Sequence, residues 1–393
     1  MSAIERIDSK ATLGALGFIM IIGVGTLQMQ PVLGGALVDR WGLGLQQMGM
    51  MFGIELITMA LGCGAAALMV NRVDRRLLCQ FGLLLLAAGS ILSALQPSYW
   101  VLCLSRGMAG TGGGVAQAVV YATSVHRRNR DQTYASMNIM LLLWGAISIA
   151  LAPILINASG IDAVFWSFPL MVLLVLPMTK LIPRHVLADG AGTAPSPTPS
   201  LTTKSGLLLL LFCMLFAGHG VLWLYQERIG VSLGMAGPTI GAILGGSILA
   251  GAAGAGMAGI IGKRLGHRPA QMIGFAGAII ASLGIVYGQS QLAYVSAAAM
   301  VMAVWFFGLT YLFALTAELD ATGRLTGLAN AAIFVGQGLG PVVAASIVGD
   351  GSYRLVGWLS AGIYAVCLLI ALVVTAGNGQ PRTAALPAKP ART

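Results

Sequence analysis

The chain has 393 residues, of which 57 % are hydrophobic and only 9 % charged, with 54 glycines; soluble domains run at about 45–50 % apolar and about 25 % charged. A mean hydropathy of +0.87 argues against an ordinary cytosolic enzyme and against disorder, which needs few apolar residues and a high net charge. The composition is that of an integral membrane protein, so the formal net charge of +10 has to be explained by where its 22 Lys and Arg lie before it is read as a nucleic-acid surface.

A bilayer core of about 30 Å needs about 20 apolar residues per helix. Twelve such runs occur in chain order, over residues 11–38, 45–70, 77–95, 99–123, 133–157 and 163–182, and then over 206–226, 236–262, 270–288, 292–316, 326–348 and 354–376. The first follows a charged start, Glu5, Arg6, Asp8 and Lys10, and exceeds the apolar length of a signal peptide, so it is expected to stay in the mature protein. Between the sixth and seventh runs, Pro195, Pro197 and Pro199 stand among Ser, Thr, Gly and Ala, a composition that builds no core. The expected organisation is an N-terminal six-helix bundle over 1–183, a cytoplasmic linker over 184–205, a second bundle over 206–377 and a polar cytoplasmic tail over 378–393.

Basic residues remain cytoplasmic, which fixes an orientation. With the N-terminus inside, 18 of the 22 Lys and Arg fall in cytoplasmic segments, Arg40, Arg228 and Arg354 fall outside, and Arg106 is left deep inside a run, away from its ends. The basic charge is thus a topology signal, for a multi-pass protein of the cell inner (plasma) membrane with both termini cytoplasmic. The basic clusters lack the stacking aromatics that a nucleic-acid face requires, so no nucleic-acid partner is expected. Cys63, Cys79, Cys103, Cys213 and Cys367 sit within apolar runs without short spacings, as buried small hydrophobes and not as disulfides or metal ligands.

The segment after the second run repeats after the eighth. Asn71-Arg72-Val73-Asp74-Arg75-Arg76 aligns with Lys263-Arg264-Leu265-Gly266-His267-Arg268, and the same register carries the loop at His126 onto Glu318. Two loops in one register point to duplicated halves.

These loops and one helix carry a family resemblance. The pattern Gly-x-x-x-Asp-Arg-x-Gly-Arg-Lys/Arg is met in the second half by Gly259, Arg264, Gly266 and Arg268; in the first half Arg72, Arg75 and Arg76 remain, with Ala67, Asn71 and Asp74 replacing its other residues. The fourth run meets Arg-x-x-x-Gly-x-Gly-x-Gly in full, as Arg106, Gly110, Gly112 and Gly114. The fifth has Ala152-Pro153 without trailing glycines, while Gly336, Gly338, Gly340 and Pro341 form a similar element in the eleventh. Over nearly its whole length the chain resembles the major facilitator superfamily of twelve-span secondary transporters. That resemblance implies an all-α fold of twelve transmembrane helices in two pseudo-symmetric six-helix bundles that rock about a central cavity.

Glycines two to four residues apart strip side chains from one helix face and let helices approach and slide. The runs at Gly110–Gly114, Gly245–Gly262 and Gly336–Gly340, with Pro341, are therefore expected at moving interfaces. Ionisable groups at membrane depth need a partner or a water-filled cavity, and three qualify: Glu55, Arg106 and His219. At about 1.5 Å per residue, Glu55 and Arg106 lie about 15 Å and about 10 Å from the outer ends of their helices and can meet. Arg106 either presents its charge to an anionic solute or to Glu55, coupling a proton to transport, or forms with Glu55 a permanent pair that fixes the bundle. His219 suits a proton relay or a satisfied core histidine.

Because the resemblance turns the first and tenth spans toward the cavity, Gln28, Gln30, Trp305, Phe306 and Tyr311 are candidate solute contacts together with Arg106, with packing as the alternative for the aromatics. Glu227 and Arg228 either gate the outer mouth by pairing across the halves or form a solvated helix end. Arg72, Arg75, Arg76, Arg264, Gly266 and Arg268 form the gating loops at the cytoplasmic side, where Glu318 and Asp320 face the basic loop Arg127, Arg128 and Arg130 and can close the halves when the cavity opens outward.

The sequence has no Gly-x-x-x-x-Gly-Lys-Ser/Thr loop, so an ion gradient is the expected energy source, protons over sodium given Glu55 and His219. The expectation is a transporter and not an enzyme, with no metal or other cofactor, moving a small organic solute as a monomer in the bilayer. Efflux is weighed slightly above proton-coupled uptake of an organic or aromatic acid, and an intramembrane enzyme is a remote alternative, since one intramembrane histidine supplies no converging nucleophile and base.

Overall fold

A computed structural model describes residues 7–95, 98–185, 202–320, 324–348 and 353–376. In order, the helices are α1 (Lys10–Trp41), α2 (Leu45–Met69), α3 (Arg75–Ala94), α4 (Tyr99–Ser124), α5 (Arg130–Ser159) and α6 (Asp162–Val175, continued by a 3-10 turn over Leu176–Leu181). The second half follows with α7 (Thr203–Ser232), α8 (Gly237–Ile261), α9 (His267–Tyr287), α10 (Gln291–Leu319), α11 (Arg324–Val348) and α12 (Arg354–Val374). All described regular structure is helical, as a hydrocarbon solvent demands, because only a helix satisfies its own backbone there unless a barrel closes. The expected linker and tail fall largely outside the described residues, which leave out 186–201 and 377–393.

Local chemistry sets the ends. Ser9, Asp74, Thr202 and Ser290 cap α1, α3, α7 and α10 by accepting from backbone N–H groups of the first turn. Between α8 and α9, Gly262 and Gly266 adopt φ of 53° and 74°, a left-handed region that a side chain disfavours, which explains glycine at Gly266 in the loop pattern.

Among the described residues, eleven spans are long and apolar enough to cross a membrane by length and composition. The exception, α4, is diluted by Arg106, by glycines and by Ser, Thr and Gln, and it tolerates them because it runs through the middle of the first half, with nearly all of 105–120 buried. Lipid-facing surfaces are supplied instead by residues such as Leu68, Leu77, Leu173, Ile260, Leu292 and Leu369, all exposed large hydrophobics.

Within the first half α2 and α3 pack on α4, α3 also on α6, and α1 on α5; within the second, α8 and α9 pack on α10, α9 on α12, and α7 on α11. Each of these contacts in one half has its image in the other six helices later, the mark of a duplicated bundle. Among the described residues the main joints between the halves are α1 with α7, α2 with α11, and α5 with α8, the last two being images of each other.

Candidate functional site

The deepest charges meet in the first half. Arg106 of α4 and Glu55 of α2 are 0 % and 2 % exposed. Arg106 donates through Nε (3.2 Å) and Nη2 to the Glu55 carboxylate, and Thr26 Oγ1 of α1 donates to Glu55 Oε1 at 2.6 Å. The Phe165 ring of α6 lies 5.5 Å from the guanidinium, and Arg106 Nη1 has no hydrogen-bond partner among the described residues. Gln30 follows Thr26 by one turn on the same face of α1, is buried and leaves its Nε2 unpartnered. The pair is therefore held by α1, α2, α4 and α6 of one bundle.

The glycine runs divide by role. On α4, Gly110 lies against the Glu55 carbonyl, Gly112 against Gly82 of α3, Gly113 against Gly23 of α1 and Gly114 against Met59 of α2. This run lets three helices close on α4 inside one half, so the moving interface expected of it lies within a bundle and not at a joint between the halves. The other two runs reach across only in part, since Gly251 and Gly254 of α8 pack on Phe306 and Ala303 of α10 within the second half. Gly241 and Gly245 of α8 meet Ile149, Pro153 and Ala146 of α5; Gly338 of α11 meets Ile57 of α2, and Gly49 of α2 meets Pro341 and Ala345. Gly336 and Gly340 hold α11 against Cys213 and Ala217 of α7.

At the end where α1 stops and α2 starts, a latch crosses the halves. Arg228 of α7 donates to both carboxylate oxygens of Asp39 on α1, at 2.6 and 2.7 Å, and to both of its neighbour Glu227, at 2.6 and 2.9 Å. Glu227 lies against Gly35 of α1, where a Cβ would overlap the carboxylate. Three and five residues before Arg228, Tyr225 Oη donates to Leu45 O of α2 (3.4 Å) and Trp223 Nε1 to Leu27 O of α1 (3.3 Å).

Toward the middle of the second half an aromatic group forms. The His219 ring is 5.7 Å from Trp223 and 4.6 Å from Trp305, and Trp305 is 4.8 Å from both Phe216 and Phe306. Tyr311, expected beside them, is instead tied by its hydroxyl to Gly262 O at 2.8 Å, at the far end of α10. Gln28 is half-buried against Gly145 of α5.

The opposite, basic end is stitched within each half. Arg75 donates to Val70 O, Ala122 O and Asn71 Oδ1, and Arg76 to Lys180 O and Ile182 O, so these arginines bind the α2–α3 loop to its own bundle. Arg127 donates to Ile7 O and Thr133 Oγ1, and Arg128 N to Asp8 Oδ1, clamping the N-terminal segment. Arg72, Arg264 and Arg268 are exposed. Glu318, expected to face the basic loop of the first half, pairs with His267 at 3.0 Å, and Asp320 accepts from Leu325 N at 2.7 Å, both inside the second half. His126, on the surface of this end, is held below the ordinary imidazole value by partial desolvation and by Arg75 and Arg130.

A family model described as Major Facilitator Superfamily matches residues 11–320 and 208–392. The chain belongs to that superfamily. It is similar to the inner membrane transport protein YajR of Escherichia coli (strain K12), 26 % identical over 215 residues that cover 52 % of this chain and 46 % of that protein; the match thus spans about half the relative's length. Solved structures share the fold at lower identity. A mutant of the nucleoside transporter NupG aligns with a TM-score of 0.73 at 9 % identity, over 95 % of this chain and 100 % of that one. A bacterial homologue of the human lysosomal transporter Spinster, inward-facing and unoccupied, gives 0.74 at 12 %, over 95 % and 96 %. The D-xylose-proton symporter gives 0.72 at 17 %, over 94 % and 97 %. The protein is a multi-pass membrane protein of a transporter superfamily.

Sequence reasoning missed three partners: Asp39, Thr26 and Phe165. Asp39 precedes Arg40 at the end of an apolar run and reads as a solvated terminus. Its partner lies 189 residues away, a separation that no local pattern bridges.

Proposed function

We propose that the protein is a proton-coupled secondary transporter that moves a small organic solute by alternating access, with efflux favoured over uptake. The observation that carries this reading is where the joints lie: the Asp39–Arg228 latch, the Trp223–Leu27 bond and the glycine seams of α2–α11 and α5–α8 gather between the Arg228 end and the middle of the spans. At the basic end, Arg75, Arg76, Arg127 and Glu318 are engaged inside their own halves. Halves joined in this way part at the basic end and, once the latch releases, rock to part at the other.

By the excess of Lys and Arg, the basic end and both termini face the cytoplasm of a cell bounded by an inner membrane, and the latch faces outward. The coupling carboxylate is Glu55. A proton there removes the charge that Arg106 neutralises and frees the guanidinium, whose Nη1 is already unpartnered, for an anionic solute group. The proton gradient is the energy source, no cofactor takes part, and one chain suffices.

The second reading, uptake of an organic or aromatic acid, draws on the aromatic group of His219, Trp223, Trp305 and Phe306, whose flat faces suit a planar solute. Paired assays of a candidate acid in everted and right-side-out vesicles separate the two directions. In the same vesicles Glu55→Gln is expected to lose proton-driven accumulation and keep counterflow exchange, while Arg106→Ala loses both. Normal transport by both variants overturns the assignment.

A further inference from the structure

The latch holds two carboxylates on one guanidinium, and only one of the three side chains reaches water to any extent. Arg228 and Glu227 are 6 % and 8 % exposed at the side chain, whereas Asp39 is 57 % exposed. Every element packed around Glu227 can be searched for a second cation. From α1 come Asp39 and the backbone at Gly35, and Arg40 on the same helix turns away to Asn157 of α5. From α7 itself comes Tyr225, whose hydroxyl is engaged with Leu45 O of α2. From α10 comes Tyr294, whose hydroxyl donates to Gln226 O at 2.8 Å. Ahead of α12 stands Tyr353, whose hydroxyl burial holds above its ordinary value, so that it stays neutral, and Arg354 beyond it lies 5.5 Å over the Tyr287 ring. Among the described residues no other cation faces Glu227.

We infer that Glu227 is a proton-binding site of the gate, and that closure of the Arg228 end takes up one proton on it. When the halves are apart at that end, Glu227 and Arg228 are chain neighbours that neutralise each other, and Asp39 is solvated. On closing, Asp39 takes Arg228 in a two-point pair and keeps water on its outer side, which leaves Glu227 as a surplus carboxylate inside protein. A desolvated carboxylate without its own countercharge is neutralised most cheaply by a proton. The exchange balances: one proton from water at the Arg228 end adds to a Glu227 oxygen, Arg228 keeps its own protons, and no other bond is made or broken. Gly35 is part of the device, since any side chain there would occupy the place of the carboxylate.

The sign follows from linkage. The closed form binds one more proton than the open form, so acid closes the gate and alkali opens it, with the closed-to-open ratio changing by up to tenfold per pH unit. The inference rests on the halves rocking but not on Glu55 as the coupling group.

The test is a distance measurement on the full chain in lipid nanodiscs. Cys63, Cys79, Cys103, Cys213 and Cys367 are replaced by Ser, and spin labels are placed at Gln46→Cys, at the start of α2, and Ala236→Cys, between α7 and α8, both exposed at the Arg228 end. Double electron–electron resonance then follows the short and long distances from pH 5.5 to 8.5. The short-distance population is expected to rise as pH falls; Glu227→Gln holds it high and flat, and Asp39→Asn holds it low and flat because Glu227 then keeps Arg228 throughout. Glu227→Asp, which preserves the carboxyl group if the amide variant does not fold, keeps the slope and moves the midpoint. The inference is overturned by a wild-type distance indifferent to pH, by opening in acid, by a wild-type slope in Glu227→Gln, or by a midpoint unmoved in Glu227→Asp. Glu55→Gln in the same labelled chain keeps the slope, so failure of the Glu55 assignment in vesicles and failure at Glu227 give different results.

Discussion

Two charge clusters of similar make-up sit in different mechanical places. Glu55–Arg106 is enclosed by helices of one bundle, with one carboxylate per guanidinium and both side chains nearly inaccessible, at 3 % and 1 %. Asp39–Arg228–Glu227 spans two bundles, with two carboxylates per guanidinium and one of them half in water. The proposed rocking would leave the geometry of the first untouched and take the second apart. A cluster inside a rigid body reports to the fold and to whatever enters that body, whereas a cluster across a joint reports conformation directly.

The largest expected effect tests the enclosed cluster. Removing one partner of a buried pair strands the other charge and costs about 3–5 kcal/mol, so Arg106→Ala should lower the thermal unfolding midpoint of the detergent-solubilised protein more than any other change named here. Glu55→Gln added to Arg106→Ala should restore much of that loss; an unrestored midpoint would mean that the pair's charges do not set its contribution. Next come the glycine seams, where overpacking costs about 1–3 kcal/mol. Gly114→Leu separates α4 from α2 inside a half and should reduce stability in both conformations. Gly245→Leu wedges α8 from α5 across the joint and should shift conformation, read as greater labelling of a cysteine at Gln46. Equal effects of the two on conformation would erase the distinction between the runs.

The latch itself comes third. Because Asp39 is largely exposed, Asp39→Asn should cost at most about 1 kcal/mol of stability, yet it should raise external accessibility several-fold, since the two forms need differ by little for a weak tie to shift them. The smallest effect is expected at the basic end: Glu318→Gln breaks an exposed pair with His267 that is worth about 0.5 kcal/mol or less, and both the unfolding midpoint and the open fraction should stay within error.

Most of the fold was legible because lipid imposes one rule on every span. The runs expected at 99–123 and 163–182 match Tyr99–Ser124 and Asp162–Leu181 within a residue or so. The seventh departs: 206–226 was expected and Thr203–Ser232 is found. Gln226, Glu227 and Arg228 read as a helix leaving the membrane, but the pairing of Arg228 with Asp39 and Glu227 lets the helix continue to Ser232, buried as far as Gly230. The meeting of Glu55 with Arg106 was legible from depth alone, as both lie in helices that must be adjacent in a tight bundle. The division of the glycine runs was not, because spacing shows that a face is bare but not which helix it is bare toward. The placing of Tyr311 was hidden for a related reason: six residues beyond Trp305 on α10, it is level with the α8–α9 turn and its hydroxyl bonds there.

Rigid halves exchanging which end is joined is the central claim, and paired distances at both ends test it most directly. Spin labels at Gln46→Cys and Ala236→Cys report the latch end, and labels at Arg72→Cys and Arg264→Cys, exposed positions equivalent under the duplication, report the basic end. Raising the pH or introducing Asp39→Asn should lengthen the first distance while the second shortens. Two distances that lengthen together, or a basic end that stays fixed while the latch end opens, would contradict the account.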